Sequence, residues 1–355
     1  MTFLQTHTFE ERTYRTICWL EKSISKGKGG SSAYFGLNGW AAPYPETTGY
    51  IITTLLDYSL YFQDEQLKLL AIHCSDWLCN IQRQDGSFPG GIGTHGNPII
   101  FDTAQILFGL LSAYKATNRG RYLFAMEQAV NWLLAAQELD GSWQHHAYHA
   151  SHIPTYYTRV IWAVLAANQV LQKDSISEKM KIALQYYSRK ITKQNSVQEW
   201  GFFPNEKAFT HTIAYTLEGF LESAVLLKNP DTLNKTAAIC NKIMGIYEEK
   251  GKIAGRYDEH WNGDYTFVCV TGNAQLSIIF ARLFQITGNE AYKHFAFRLF
   301  ERIANSSCNI PIPGLHGAVP GSKPLWGSYM RFRFPNWAAK FYLDAYLILM
   351  KINAE

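Results

Sequence analysis

The chain has 355 residues, of which 47% are hydrophobic and 17% charged, which is enough apolar material for a large core and too little charge for a disordered protein. The net charge of +4, without any dense run of Lys or Arg, argues against a nucleic-acid partner, and no run of roughly 18 apolar residues predicts a membrane span. Aromatic residues reach 15%, a proportion that suits ligands which stack on flat rings, such as sugars.

Two features indicate a cytoplasmic protein without a cofactor. Residues 1–11 lack a basic segment followed by an apolar one, so no signal peptide is predicted. The cysteines are scattered without the spacing of metal ligands and are predicted to be reduced thiols; they are Cys18, Cys74, Cys79, Cys240, Cys269 and Cys308.

In chain order, two kinds of predicted helix alternate. The first kind is amphipathic, with apolar residues every three or four positions, and is predicted at 9–26, 64–83, 119–139, 175–192, 231–250 and 289–305. The second kind is apolar almost all round and is predicted to begin near residues 47, 102, 157, 211, 272 and 336. Six half-exposed helices alternating with six buried ones predict an all-α fold, an (α/α)6 toroid of six helical hairpins. Its inner and outer helix rings form a single domain over residues 1–355.

The longest Gly- and Pro-rich segments, 27–45, 86–98 and 309–324, each lie between an amphipathic helix and the apolar helix that follows. They are therefore predicted at one end of the ring, where the six inner helices begin. The unpaired N–H groups of the helix starts favour an anionic ligand there. We expect the binding cavity at this end, which we call the mouth.

One polar or amphipathic residue recurs near the start of each inner helix, at successive spacings of 55, 54, 56, 60 and 65 residues. A ring brings the same position of every hairpin to its axis, so these side chains are predicted to cluster around one cavity and to bind substrate. They are Tyr50, Gln105, Arg159, Tyr215, Gln275 and Lys340.

Two predicted outer helices end in the same phrase, Gln82-Arg-Gln-Asp-Gly-Ser-Phe88 and Gln137-Glu-Leu-Asp-Gly-Ser-Trp143. It resembles the Q-x-x-D-G-x-W repeat of squalene–hopene cyclases and related toroid proteins, and the resemblance implies an α/α toroid. The D-x-D-D acid motif of those cyclases and the zinc-ligand pattern of protein prenyltransferases do not occur in the sequence. Protonation of an isoprenoid is therefore not expected.

Other segments resemble carbohydrate-related toroids. Tyr44-Pro-Glu-Thr-Thr-Gly-Tyr50 and Pro335-Asn-Trp-Ala-Ala-Lys-Phe341 look like parts of uncharacterised toroid proteins associated with bacterial surface-polysaccharide genes, which implies a carbohydrate substrate. Phe101-Asp-Thr103 is similar to the segment that carries the catalytic Asp of unsaturated glucuronyl hydrolases, another (α/α)6 family. That similarity implies acid–base chemistry at Asp102.

Glu46 and Asp102 are the carboxylates at the starts of two successive inner helices. Glycosidic cleavage needs a protonated carboxyl near the leaving oxygen and a carboxylate near the water or the anomeric carbon. We therefore predict that this pair faces the cavity and is catalytic, with a separation of roughly 6.5–9.5 Å for inversion or roughly 5–5.5 Å for retention. The competing interpretation is that both side chains cap their own helices.

A second set of residues favours elimination or epimerisation. A lyase or a uronate C5-epimerase must neutralise the uronate carboxylate, which Arg159, His211 or Asn336 could do, and must remove the C5 proton, which Tyr157 or His211 could do. Sequence does not separate these two reactions from each other.

The remaining candidates lie in the mouth loops. Arg256 and Arg331 are predicted to bind an anionic sugar, and Trp40, Trp261 and Trp326 are predicted to stack on sugar rings. No metal is expected, because the histidines crowded between residues 145 and 152 have no carboxylate or Cys at ligand spacing.

The sequence thus predicts a glycoside hydrolase-type enzyme whose partner is an acidic oligo- or polysaccharide. The alternatives are a polysaccharide lyase or C5-epimerase, a non-catalytic glycan-binding toroid, and an isoprenoid-binding relative of terpene cyclases. A polar cavity with aromatic walls would favour the sugar, and an almost wholly aromatic cavity the isoprenoid.

Overall fold

The computed structural model describes residues 6–150 and 152–354, and within these ranges the chain forms twelve α-helices. They are α1 (Thr6–Gly27), α2 (Pro45–Phe62), α3 (Glu65–Ile81), α4 (Ile100–Thr117), α5 (Gly120–Ala135), α6 (Thr158–Leu171), α7 (Asp174–Ser188), α8 (Thr210–Leu226), α9 (Pro230–Lys250), α10 (Val270–Thr287), α11 (Glu290–Ile303) and α12 (Asn336–Ala354). Short 3₁₀ turns cover Thr155–Tyr157 and Ala304–Ser306.

The even-numbered helices form the inner ring. Each packs on the next, and α12 packs on α2 to close the circle. Their first residues are 45, 100, 158, 210, 270 and 336, each within two residues of the predicted start. The odd-numbered helices lie outside them. The predicted all-α toroid of six hairpins is confirmed.

Burial distinguishes the two rings as their sequences require. The outer helix α3 buries one stripe with spacings of three and four residues, including Leu67, Ala71, Cys74 and Leu78. The inner helix α8 is buried without interruption over 210–224, because it packs against the outer ring on one side and the ring axis on the other. Apolar residues on all sides of a helix therefore mark the inner ring.

The closest approach of two inner helices depends on glycine. A Cβ atom at Gly109 of α4 would lie 2.1 Å from the carbonyl oxygen of Gly49 in α2, and one at Gly49 would lie 2.5 Å from the Cα of Ile106. Both positions are buried within their helices. These two glycines bring the helices that carry Glu46 and Asp102 together.

The repeated Asp-Gly-Ser phrase fastens the outer helices to one another. Nε2 of Gln82 donates to the carbonyl oxygen of Gly86 in its own turn (2.9 Å) and to that of Ala125 in α5 (2.8 Å). Gln137 makes the corresponding bond to Gly141 (3.2 Å) and also reaches α7. The repeated phrase therefore has a structural role, since it joins neighbouring outer helices.

Seven short strands lie in the loops at the mouth. They are β1 (Tyr34–Gly36), β2 (Gly39–Trp40), β3 (Ala208–Phe209), β4 (Arg256–Tyr257), β5 (Val268–Cys269), β6 (Ser322–Lys323) and β7 (Phe334–Pro335). All pairings are antiparallel: β1 pairs with β2 and β7, β3 with β4, and β5 with β6. Because β1 and β7 belong to the first and last mouth loops, the sheet joins the first helical hairpin of the chain to the last.

The six cysteines are all unpaired thiols. Cys74, Cys240 and Cys269 are buried, and burial raises the pKa of each thiol to about 12. These three are therefore protonated packing residues. No helix in the described ranges is long and apolar enough to cross a membrane.

Candidate active site

Two buried carboxyl groups meet at the mouth. Glu46 is the second residue of α2 and is 5% exposed, and Asp102 is the third residue of α4 and is 3% exposed. The residues in the capping positions are Tyr44 and Ile99, and neither makes a side-chain cap. Oδ2 of Asp102 instead accepts a hydrogen bond of 2.7 Å from the backbone N–H of Gly91, in the preceding mouth loop. Asp102 is thus bound by the mouth loop, which contradicts the capping interpretation.

The phenol of Tyr44 lies close to both carboxyl groups: burial, and then the charges of Asp102 and Glu46, raise the pKa of its hydroxyl well above the ordinary value. A phenol has one O–H to donate. When Tyr44 donates to one carboxylate, its second bond must come from a protonated carboxyl on the other side. The arrangement therefore favours one shared proton and one negative charge.

Burial sets the proton affinities of the pair. Burial, and then the charge of Asp102, raise the pKa of Glu46 well above its ordinary value, although Tyr44 opposes the rise. Burial also raises the pKa of Asp102 to about 6, and the Gly91 N–H and the Tyr44 hydroxyl limit that rise by binding the anion. Within the pair, the charge of Asp102 raises the pKa of Glu46, and the Gly91 N–H and the Tyr44 hydroxyl bind the Asp102 anion, so the shared proton is favoured on Glu46. Two carboxyls tuned apart in this way can serve as an acid and a base.

Aromatic rings wall this site. Tyr156 packs edge-on against Phe101 (centroids 5.0 Å apart) and Phe202 (5.7 Å). On the other side, His211 lies 4.2 Å from Tyr215 and 5.2 Å from Tyr329. Burial, and the Glu46 carboxylate when it is ionised, raise the pKa of the hydroxyls of Tyr156, Tyr215 and Tyr329. The site is polar with aromatic walls.

Sequence reasoning missed part of this wall. Tyr44 was visible only within a family resemblance, and Tyr156 and Phe202 carried no signal. Tyr329 lies in a mouth loop, where its hydroxyl accepts a bond of 2.7 Å from Nε1 of Trp337. A usable signal existed for Tyr44, which stands two residues before Glu46 at the start of an inner helix.

The six residues that recur near the starts of the inner helices meet on the ring axis, below the carboxyl pair. All are buried. The hydroxyls of Tyr50 and Tyr215 are 3.4 Å apart, Nε of Arg159 donates to Gln105 (2.6 Å), and Nζ of Lys340 lies 5.2 Å from the centre of the Tyr50 ring. Gln275 joins the cluster through His211, which packs on Tyr215. The six side chains thus form a layer across the ring, and their binding of substrate stays a prediction.

Arg159 is bound by the protein itself. Its guanidinium pairs with Glu218 and lies 4.9 Å from the ring centres of both Trp162 and Tyr215. The side chain is 1% exposed. Contrary to the sequence-based expectation, Arg159 is not a free cation for a uronate carboxylate, because Glu218, 59 residues away, already neutralises it.

His211 and Tyr157 are better placed for chemistry. Burial lowers the pKa of His211 to about 3, so the ring is neutral. Its Nδ1 lies 2.6 Å from Oε1 of Gln275, an acceptor, which places the proton on Nδ1 and leaves Nε2 as a base. Nε2 has no hydrogen-bond partner within residues 6–150 and 152–354, and the buried hydroxyl of Tyr157 likewise has none there. Burial and the charge of Asp102 raise the pKa of Tyr157, so it is a phenol.

Asn336 holds the ring closed. Its Nδ2 donates to Oγ of Ser31 (3.0 Å), to the carbonyl oxygen of Ser32 (3.0 Å) and to Oγ1 of Thr47 (2.9 Å). These bonds join the start of α12 to the first mouth loop and to α2. Because its amide donor is fully used, Asn336 is not available to neutralise a uronate carboxylate, whereas its buried Oδ1 has no hydrogen-bond partner among the described residues.

Three predicted rim residues are held by neighbours. Trp40 packs on Trp19 with centroids 5.1 Å apart, and Arg256 pairs with Asp264 at 3.0 Å. Trp261 packs edge-on against Trp200, 5.2 Å away, and its Nε1 donates to a backbone carbonyl oxygen in the fourth mouth loop. These contacts restrain the three side chains that were predicted to bind sugar.

Trp326 and Arg331 are the predicted rim residues that remain open to solvent. Trp326 is 64% exposed and Arg331 is exposed. In the described ranges, no group of three His, Cys, Asp or Glu residues is arranged to hold a metal ion. The crowded histidines make other contacts: Nε2 of His152, for example, lies 3.0 Å from the carbonyl oxygen of Gly201.

The whole architecture has counterparts among solved structures. An unsaturated glucuronyl hydrolase specific for heparin superposes with a TM-score of 0.79 at 17% identity, covering 98% of each chain. A sugar epimerase from a ruminal bacterium gives 0.77 at 12% identity over 97% of this chain and 98% of its own, and a D-mannose isomerase gives 0.76 at 13% identity over 99% of both. No family model and no curated protein sequence matches the chain.

These likenesses define the protein as an α/α toroid of the architecture shared by glucuronyl hydrolases, sugar epimerases and sugar isomerases. At such identities they establish the fold alone. The resemblance to terpenoid cyclases stays a prediction.

Proposed function

We propose that this protein is a carbohydrate-active hydrolase in which Glu46 is the general acid and Asp102 the carboxylate partner. The observation that carries the proposal is the pair of buried carboxyl groups at the mouth. Both lie near Tyr44, and their surroundings raise their pKa values to different extents. Glycosidases divide the labour between two carboxyl groups in the same way. The glucuronyl hydrolases among the structural neighbours support this reaction class.

The bridging phenol favours a close pair. A phenol oxygen that hydrogen-bonds to both carboxyl groups at once would keep their nearest oxygens within roughly 5.5 Å. This is nearer to the separation of retaining pairs than to that of inverting pairs. In the proposed reaction, Glu46 gives its proton to the glycosidic oxygen, and the Asp102 carboxylate attacks the anomeric carbon as the leaving sugar departs as an alcohol. Glu46 then takes a proton from water, whose oxygen displaces Asp102.

The substrate class follows from the walls and the rim. Flat rings around a polar site suit a sugar, and the sequence lacks the D-x-D-D acid motif of the isoprenoid cyclases that it resembles. The inner-helix N-termini and the exposed Arg331 favour an acidic oligo- or polysaccharide. We take the chain to form one domain, because α1 and α12 pack together and close the ring. We also take it to act in the cytoplasm, where unpaired thiols such as its six cysteines persist.

The proposal is tested with a panel of uronic-acid oligosaccharides, saturated and unsaturated, assayed for new reducing ends and for loss of the unsaturated uronyl chromophore. Glu46→Gln should lower turnover about 10²- to 10⁴-fold, the usual contribution of a general acid. Glu65→Gln, on the exposed first turn of α3, is the matched control and should leave turnover unchanged. Wild-type turnover that survives Glu46→Gln would overturn the assignment.

Epimerisation is the second candidate, and His211 is the observation in its favour. A neutral imidazole with a free Nε2 could remove and return a proton on a sugar carbon. The sugar epimerase and isomerase neighbours agree with this chemistry. Incubation of sugars in heavy water distinguishes the two functions, because epimerisation introduces deuterium at carbon without new reducing ends.

A further inference from the structure

A second cavity opens at the far end of the ring, where the inner helices end. Its volume is about 360 Å³, within the range of small-molecule pockets. Tyr50 and Lys340, of the layer on the axis, lie at its inner end, and Asp57 and Lys351 line it about two to three turns further along the same helices. At 1.5 Å per residue, the cavity is roughly 10–16 Å deep. Two-residue connections such as 63–64 and 118–119 leave this end uncovered.

One wall of the cavity is aromatic and apolar. The rings of Phe108 and Trp162 pack together with centroids 4.4 Å apart, and Ile278 and Leu347 extend the apolar surface. The opposite, polar part contains Thr53 and Ser112, whose hydroxyls bond to each other at 3.0 Å. Such a cavity accommodates a molecule with an apolar body and a polar head.

The charges of the cavity leave one carboxylate uncompensated. Glu218 pairs with Arg159 and Asp344 pairs with Lys340, so two of the three acids are neutralised. Asp57 is half-buried and has no hydrogen-bond or ion-pair partner in the part of the chain that the structure describes. Burial, and then the charge of Asp344, raise the pKa of Asp57, and the more distant charges of Lys351 and Lys340 oppose the rise in part.

The surroundings add to the negative potential at Asp57. The inner helices end around this opening, and each helix C-terminus carries a partial negative charge. Lys351, the third cation of the lining, is exposed at the rim, where water and salt screen it. A positive ligand group therefore finds an unpaired carboxylate, several helix C-termini and an aromatic wall in one place.

We propose that this cavity binds a small organic ammonium compound, with the ammonium group on Asp57 and the apolar body against Phe108 and Trp162. Cations gain from contact with aromatic faces as well as from the carboxylate. The site is separate from the carboxyl pair at the mouth and does not depend on the proposed hydrolysis.

The test is calorimetric titration of the whole protein with three probes that differ in charge: 2-phenylethylammonium, 2-phenylethanol and 3-phenylpropionate. The ammonium probe should bind saturably at one site, about ten-fold tighter than the other two. Asp57→Asn should remove this preference. The control Asp231→Asn, on the exposed start of α9, should keep it.

Three results would overturn the proposal: equal binding of the alcohol, tighter binding of the carboxylate, or no saturable binding of the ammonium probe. If Asp57→Asn does not fold, the wild-type comparison of the three probes decides the matter by itself. Neither the wild-type comparison nor the Asp57→Asn titration measures enzymatic turnover. A negative result here therefore does not affect the proposed hydrolysis, and the absence of hydrolysis does not affect this proposal.

Discussion

Replacing Asp102 by Asn should abolish turnover and at the same time stabilise the fold at neutral pH. The carboxyl is buried, and its pKa is about 6 against an ordinary value of 3.8. A carboxyl with a raised pKa binds its proton more tightly in the folded state than in the unfolded state. Its ionisation therefore leaves stability unchanged below pH 3.8, lowers it progressively up to about pH 6, and keeps it lowered above that.

The size of the effect follows from the difference in pKa. About two units correspond to roughly 3 kcal/mol of unfolding free energy at pH 7. For a chain of 355 residues, with an unfolding entropy of about 2.1 cal/mol/K per residue, this is a shift of roughly 4 °C in melting temperature. The Asn variant carries no charge, so it avoids this loss and can still accept the N–H of Gly91.

Thermal melts of the wild type and the Asp102→Asn variant, followed by circular dichroism between pH 3 and pH 8, measure the difference. We expect the variant to melt roughly 4 °C higher than the wild type at pH 7, and the two curves to converge in acid. Turnover of the variant should be at least about 10²-fold lower. A variant that melts at or below the wild-type temperature at pH 7, with its helical spectrum intact, would refute the argument from buried charge.

Asp85→Asn is the matched control, for which we expect the opposite change in melting temperature. Asp85 is exposed, and although desolvation opposes it, hydrogen bonds from Ser87 lower the pKa of the carboxyl. Its Oδ1 accepts from the Ser87 N–H at 3.0 Å and from the hydroxyl at 2.7 Å. Loss of this charge should lower the melting temperature at neutral pH, because the anion is stabilised only in the folded turn.

Three further changes test other parts of the structure. Tyr44→Phe removes the hydroxyl between the carboxyls and should narrow the pH–rate profile and lower turnover by about ten-fold or more, with the melting temperature nearly unchanged; an unaltered profile would exclude the bridge. Glu218→Gln leaves the guanidinium of Arg159 buried without its counter-ion, and urea unfolding should show a loss of about 3–5 kcal/mol, whereas a loss under about 1 kcal/mol would contradict the buried pair. Gly109→Ala places a Cβ against the carbonyl oxygen of Gly49. Ala normally stabilises a helix relative to Gly, but here the clash should outweigh that gain and lower the midpoint of chemical unfolding. A raised midpoint would contradict the close approach.

The sequence was sufficient to predict the fold, because the spacing of apolar residues along a helix shows whether one side or all sides of it are buried. The inner helix α8 carries apolar residues around most of its circumference, whereas α3 carries them on one face. The two rings could therefore be told apart before any contact was known. The six-fold repeat also placed Glu46 and Asp102 at the starts of neighbouring inner helices. Periodicity and repeat position are local properties, and they therefore survive without tertiary information.

Tertiary structure decided what each side chain does. Arg159 looked like an anion-binding cation until the ring placed Glu218 against it, and Asn336 looked like a substrate ligand until its amide met Ser31 and Thr47. Tyr44 gains its importance only because α2 and α4 bring two carboxyls to its hydroxyl. Charge pairing, proton affinity and hydrogen-bond satisfaction depend on distances between groups that are tens to hundreds of residues apart in the chain, and only the closed ring fixes those distances.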